Sequence, residues 1–258
     1  MAGTSTDASA TTAPLHNPMT YIDAPSPNFD ARTAPPDMIV VHYTGMPTGE
    51  EALARLRDPE AKVSSHYLVE EDGRVFALVP EERRAWHAGK SFWKGERDIN
   101  GASIGIEIVN PGHAFGYRPF PDAQIAAVIE LTTDIRSRWS VADARIIGHA
   151  DVAPDRKEDP GELFPWRELA EAGHGLWAEP APAPGPPLAE GAEGAGVFAL
   201  QAGLARLGYD SAPSGTYDAA TATIVRAFQR HWRQRLVDGV ADGETRAGLI
   251  ALLKLAAD

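Results

Sequence analysis

A chain of 258 residues exceeds the length of about 100 to 200 residues that one ordinary domain needs, and 43% apolar residues are enough to build a core. With no cysteine in the sequence, disulfides and thiolate-rich zinc sites are excluded, so any metal must be held by His and carboxylates. A formal net charge of -12 without a Lys/Arg-dense block argues against a phosphate-tracking groove for nucleic acid and suits an uncharged glycan or a partly cationic peptide better.

Residues 1–36 read as a loosely ordered lead-in. Met1 to Leu15 contain neither a basic start nor a continuous apolar stretch of the kind a signal peptide uses. No segment approaches the roughly 20 apolar residues of a membrane span, and there is no cysteine for a thioether anchor. The expectation is a soluble cytoplasmic protein with no integral membrane association.

A first domain is expected over 37–178. Met38-Ile-Val-Val-His-Tyr43, Ile104-Gly-Ile-Glu-Ile-Val-Asn110 and Arg145-Ile-Ile-Gly-His149 are short β-rich runs. His66-Tyr-Leu-Val69 and Arg74-Val-Phe-Ala-Leu78 flank Glu71-Asp-Gly73 and predict a hairpin. Thr48 followed by Glu51 forms a capping-box pattern that starts a helix through Arg57, stopped near Asp58-Pro59. Ile125, Val128, Ile129, Thr132, Ile135 and Trp139 recur at helical spacing, so Asp122 to Trp139 should lay one apolar face on the sheet. The class is α/β.

Residues 179–196 are Pro-rich, then Gly-rich, and read as a semi-rigid linker. Beyond it, 197–258 predicts a small all-α module of three helices. Val197, Leu200, Leu204 and Leu207 mark the first, Ile224, Val225, Phe228 and Trp232 the second, and Ala241-Asp-Gly-Glu-Thr245 the start of the third, through Leu252. Phe228 and Trp232 could form a glycan platform, but their spacing inside an amphipathic stretch favours core.

His42 stands at the end of an apolar run, and His149 and Asp159 stand at the two ends of one later stretch. Two imidazoles and a carboxylate are natural Zn²⁺ ligands and leave a fourth position free for a reactive water. Glu107 alternates with Ile106 and Ile108, so its side chain leaves the opposite face of the strand. It reads as a solvated strand residue or as an acid beside the metal. Lys157, two residues before Asp159, leaves the same side of an extended backbone. Asp151 and Asp155 could compete for the metal, but the turn-like Ala-Asp-Val-Ala-Pro favours structural roles, with Asp151 capping backbone amides. His66 is expected to be a hydrogen-bonded core residue, and His16, His113, His174 and His231 are assigned no functional role.

In order, Val-Val-His42-Tyr-Thr, Val-Ser-Ser-His-Tyr-Leu-Val, Trp86-His87-Ala-Gly, Ser-Ile-Gly-Ile-Glu107-Ile-Val-Asn, Gly-His149-Ala-Asp-Val-Ala-Pro and Arg-Lys157-Glu-Asp159-Pro-Gly-Glu-Leu-Phe-Pro-Trp resemble the type-2 zinc amidases. These are the N-acetylmuramoyl-L-alanine amidases of bacterial peptidoglycan recycling and cell-wall turnover, related to phage amidases and peptidoglycan-recognition proteins. The resemblance runs from about Pro35 to Trp177. Asp159 follows the cellular amidases, where several phage relatives have Cys.

The resemblance implies a central mixed β-sheet flanked by helices and one Zn²⁺ on His42, His149 and Asp159. It also implies that Glu107 acts as general base, passing the water proton to the departing amine, and that Lys157 stabilises the oxyanion. The substrate would be a muropeptide or peptidoglycan, cut between the lactyl group and L-Ala. Trp86 and His87 form either a packed aromatic pair or part of the substrate groove, and Tyr43 is placed with them among the substrate-binding candidates. The C-terminal pattern resembles the peptidoglycan-binding three-helix module. The whole order also resembles an envelope amidase subgroup whose members typically carry an export signal and a lipid-bearing Cys, neither of which is visible here. The periplasm or cell envelope is therefore the alternative location.

Two other readings compete. A non-catalytic recognition protein would commonly lack a ligand, whereas all three stand in motif. A purely structural zinc would need a fourth protein ligand, and no Cys or obvious further His is near.

Overall fold

Residues 19–257 are described by a computed structural model; the expectations for Met1 to Leu15 and for His16 fall outside them. The chain begins with two short strands, β1 (Tyr21–Asp23) and β2 (Phe29–Ala31), then forms β3 (Met38–Tyr43) and α1 (Gly49–Arg57). Thr48 Oγ1 accepts from Glu51 N at 3.2 Å and starts α1, which ends at Asp58 before Pro59. β4 (Tyr67–Val69) and β5 (Val75–Ala77) form the expected hairpin, followed by β6 (Arg83–Ala85), α2 (Ile99–Ala102) and β7 (Ser103–Ile108). α3 (Gly112–Phe115), α4 (Asp122–Arg138), β8 (Ile146–Gly148), α5 (His149–Val152) and α6 (Trp166–Glu171) complete the first region. α7 (Ala195–Leu207), α8 (Ala219–Trp232) and α9 (Gly243–Leu255) form the second.

The main sheet is mixed, in the order β1-β5-β4-β7-β3-β8. β3 runs parallel to both β7 and β8, β4 is parallel to β7, and β5 is antiparallel to β4. β2 and β6 pair separately. β1 joins the sheet edge beside β5, so sheet structure begins upstream of residue 37. Three-residue strands such as β1 and β2 carry no readable alternation, and both lie in the stretch expected to be loosely ordered.

Side chains alternate along β3, and each of its faces is buried against a different partner. Ile39 and Val41, with Ile104 and Ile106 of β7, pack against Val128, Leu131 and Ile135 of α4. Met38 and Val40 share a cluster with Val197, Leu204 and Phe228 of the helical module. The module therefore has no separate core: its apolar residues join those of the β3 face opposite α4 in one cluster that also contains Ala88, Trp93, Ile99, Val152 and Ala153. At about 1.5–3 kcal/mol for each fully buried aliphatic or aromatic side chain, this shared cluster is a large part of what holds the two regions together. Phe228 and Trp232 are buried, as core residues should be.

The stretch between the regions is not a loose strap. Ala183 N donates to Gly243 O (2.8 Å), Leu188 and Ala241 form an antiparallel bridge, and Gly191 N donates to Tyr217 O (2.9 Å). The Pro-rich segment lies along the start of α9, and its Gly-rich end lies along the loop before α8.

Candidate metal centre

Three parallel strands end at one place, and the site is built there, as α/β sheets commonly place theirs beyond the carboxyl ends of strands. His42 is the penultimate residue of β3 and is in register with Glu107 of β7. His149 follows β8 directly and opens α5. Asp159 arrives on the turn beyond α5, tied to it by Ala150 N donating to Asp159 O at 2.8 Å.

His42 Nδ1, His149 Nδ1 and Asp159 Oδ2 lie 2.9–3.1 Å from one another. All three residues are buried. Three lone-pair donors aimed at one point inside a protein repel unless a cation or protons stand between them, so this donor set suits a metal ion. Burial, and then the neighbouring His149, push the His42 pKa down to about 4, which leaves a neutral imidazole at pH 7. Burial alone would raise the Asp159 carboxyl, but His149 and His42 outweigh it and hold the group well below the usual carboxylate range. A neutral imidazole and an ionised carboxylate are the protonation states a metal ligand needs.

The remaining ring nitrogens are held by neighbours. With Nδ1 of His42 free of hydrogen, Nε2 carries the proton and donates to His87 Nδ1 at 3.0 Å. His87 then donates from Nε2 to Ser103 Oγ (3.2 Å), whose hydroxyl donates to Ile99 O (2.5 Å). His149 Nε2 faces Ala88 O at 3.2 Å. Such partners fix the tautomer and ring orientation of a ligand. The His87 ring lies against Gly105, where a Cβ would stand 2.5 Å from His87 Cγ, so only glycine admits it.

Glu107 stands beside the donor triplet and lines the same cavity, of about 400 Å³. Its Oε2 is buried and has no hydrogen-bond partner among the described residues. Burial first, and then the charge of Asp159, raise its pKa well above the ordinary value, with Lys157 pulling the other way. A carboxylate beside a cavity, with raised basicity and one oxygen unpaired, is equipped to take a proton. Lys157 lines the cavity too and makes no ion pair among the described residues.

The substrate-contact candidates separate. Tyr43 lines the cavity, its hydroxyl 3.0 Å from His113 Nδ1. His87 reaches the cavity wall, but its ring nitrogens are committed to His42 and Ser103. Trp86 is not among the lining residues; its Nε1 donates to Asp30 Oδ2 at 2.7 Å, on the β2–β6 side. His113, to which the sequence assigned no role, lines the cavity and is held by Glu162 at 3.3 Å. Arg55 also lines it, from the last turn of α1. Neither has a motif or period that marks it in advance. Asp151 caps the backbone as expected, accepting from Gly148 N at 2.8 Å, and Asp155 is exposed and outside the donor group. His66 is a core residue whose Nδ1 accepts from Gly105 N at 2.9 Å.

Two imidazoles and one carboxylate form a group that could hold a metal ion, and an unpaired acid and a lysine line the cavity beside it, a set of groups suited to hydrolytic chemistry. The N-acetylmuramoyl-L-alanine amidase family model matches residues 32–162, and a putative peptidoglycan-binding domain matches 193–249. The chain belongs to this amidase family. It is 40% identical over 237 residues to the N-acetylmuramoyl-L-alanine amidase AmiD of Escherichia coli K12, covering 84% of this chain and 82% of that one. The 1,6-anhydro-N-acetylmuramyl-L-alanine amidase AmpD of Haemophilus influenzae is 35% identical over 161 residues, 55% of this chain and 85% of its own. Among solved structures, the E. coli AmiD complex with anhydro-N-acetylmuramic acid-L-Ala-D-gamma-Glu-L-Lys superposes with a TM-score of 0.73 at 38% identity, covering 88% of this chain and 92% of that one. AmpDh3 from Pseudomonas aeruginosa with an anhydromuramic pentapeptide gives 0.71 at 29%, covering 95% and 98%.

Proposed function

We propose that the protein is a zinc-dependent N-acetylmuramoyl-L-alanine amidase that hydrolyses the amide between the lactyl group of a muramic or anhydro-muramic acid and L-Ala of the stem peptide. The observation that carries this reading is the buried donor group of His42, His149 and Asp159, two of which, His149 and Asp159, line one cavity together with the unpaired Glu107 carboxylate. A bound zinc ion would supply Lewis acidity toward the amide carbonyl and lower the pKa of water. Glu107 accepts the proton of the attacking water and returns it to the departing amine nitrogen. Lys157 Nζ stabilises the negative charge that develops on the carbonyl oxygen. Tyr43 and His113 form part of the cavity wall against which the substrate is oriented.

The favoured substrate is a soluble fragment, supported by the anhydromuramyl peptides bound to two similar amidases. In this reading the enzyme works in the cytoplasm on recycled material. The match to a peptidoglycan-binding domain favours a second reading, action on the intact sacculus in the envelope. Purified protein incubated with anhydro-muropeptides and separately with sacculi, with released peptides identified by mass spectrometry, distinguishes the two. A fusion to a reporter active only outside the cytoplasm tests the compartment. Absence of free stem peptide from both substrates, with zinc present, overturns the amidase reading.

A further inference from the structure

We infer that the helical module positions the metal centre: Tyr209 and His231 act through Asp151 to hold ligand His149 in place. The inference rests on the reading of His42, His149 and Asp159 as zinc ligands. Asp151 lies in α5, two residues after His149, and is 2% exposed. Its carboxylate is fully engaged. Oδ1 accepts from Tyr209 OH at 2.5 Å; Oδ2 accepts from His231 Nδ1 at 2.7 Å and from Gly148 N at 2.8 Å. Gly148 is the residue that hands the chain to His149. One side chain thus joins the backbone at a ligand to two donors on the other region of the molecule.

Those two donors cannot easily move. The His231 ring is stacked between Trp166 and Trp232, with centroids at 3.7 and 3.6 Å. Tyr209 is 1% exposed and meets Trp93 edge-on at 5.0 Å. By contrast α5 is a single turn, too short to keep its own orientation, since an isolated turn of helix is unfavourable. Its direction comes from what it is tied to. One tie is Ala150 N to Asp159 O, so a swing of α5 disturbs two ligands at once. A second contact from the module bears on the same place: Arg230 Nη2 binds Glu158 Oε1 at 2.6 Å, on the residue between Lys157 and Asp159. Remove the module's donors, and a buried carboxylate loses two of its three partners. It must then turn toward water or drag α5 with it.

Outer partners of metal ligands typically tune metal affinity by about 10- to 100-fold, and that is the effect expected here. Zinc affinity of the full-length protein is measured by competition with a chromogenic chelator, alongside the unfolding temperature of the metal-free protein. Tyr209→Phe and His231→Ala should weaken zinc binding within that range. His231→Asn, whose amide can donate from nearly the position of Nδ1, should recover most of the loss. Asp218→Ala removes the N-cap that accepts from Thr221 N in α8; it should lower the unfolding temperature and leave zinc affinity unchanged. Wild-type affinity in Tyr209→Phe and His231→Ala overturns the inference, as does an equal loss in Asp218→Ala, which would make the module a general stabiliser only. A wild-type protein that takes up no zinc overturns the ligand reading, and this inference with it.

Discussion

Two glutamates with buried carboxylate oxygens, Glu81 and Glu107, show how differently the two sides of this molecule use the same group. Glu81 is pinned by four donors: Tyr67 OH, Arg138 Nε and Nη2, and Trp139 Nε1, at 2.6–2.9 Å. Burial alone would raise its pKa, but the bonds from Arg138, Trp139 and Tyr67 win and hold it below the ordinary value. Glu107 has a bare oxygen and a pKa pushed the other way. A carboxylate whose hydrogen bonds are complete is spent on holding α4 to the sheet. One whose bonds are incomplete, at a cost in stability, is suited to the proton-transfer role proposed for Glu107.

The sharpest way to break that contrast is to remove the metal. Chelation should abolish amide hydrolysis and added Zn²⁺ should restore it, while the Glu81 network stays intact; activity in a verified metal-free sample would remove the basis for Glu107's special role. Next, Glu107→Gln should lower turnover by about 10²- to 10⁴-fold with zinc content and unfolding temperature preserved. A parallel loss of zinc would make Glu107 a ligand or a ligand support instead. Lys157→Ala should behave alike, with a loss of about 10²- to 10³-fold.

Glu81→Gln should give the reverse pattern: about 1–3 kcal/mol less stability near neutral pH and unchanged turnover, read by denaturant unfolding and by steady-state kinetics. Its pKa is depressed in the folded state. The stability it adds is therefore present above the unfolded value of about 4.3 and lost as pH falls through the folded one. The gap between wild type and variant should shrink on acidification; a constant gap would mean that packing, not charge, is what Glu81 supplies. The smallest effect is expected at Thr48→Ala, where loss of the α1 cap should cost about 1 kcal/mol and leave the kinetics alone, although Arg55 of α1 lines the cavity.

The elements that could be read from sequence were those with a period or a punctuation mark: β3 and β7, the hairpin around Asp72-Gly73, α1 with its cap, α4, and the three C-terminal helices. The candidate metal donors could be read because His42, His149 and Asp159 stand in motifs of fixed order, and the geometry brings the three together. What stayed hidden were contacts between distant residues with no local signature. His87 bonds to His42 across 45 positions, and His231 to Asp151 across 80. Trp86 and His87 are neighbours in sequence, yet the chain sends one out to Asp30 and the other in to the site. The alternation along β3 could not announce the docked module either, because a strand buried on both faces looks apolar whichever partner covers it.

The segment joining the two regions bears on how such an enzyme meets a polymer. A free linker gives its cargo reach, and the tethered domain samples a volume set by linker length. Here the backbone of Ala183, Leu188 and Gly191 is bonded to the module itself, and the module shares its interior with the sheet. The slack is taken up. The two regions should tumble with one rotational correlation time, and a module seated on a glycan strand would present the cavity at a single bearing, so that it cuts only what lies in its line of sight and cannot sweep an arc around its anchor.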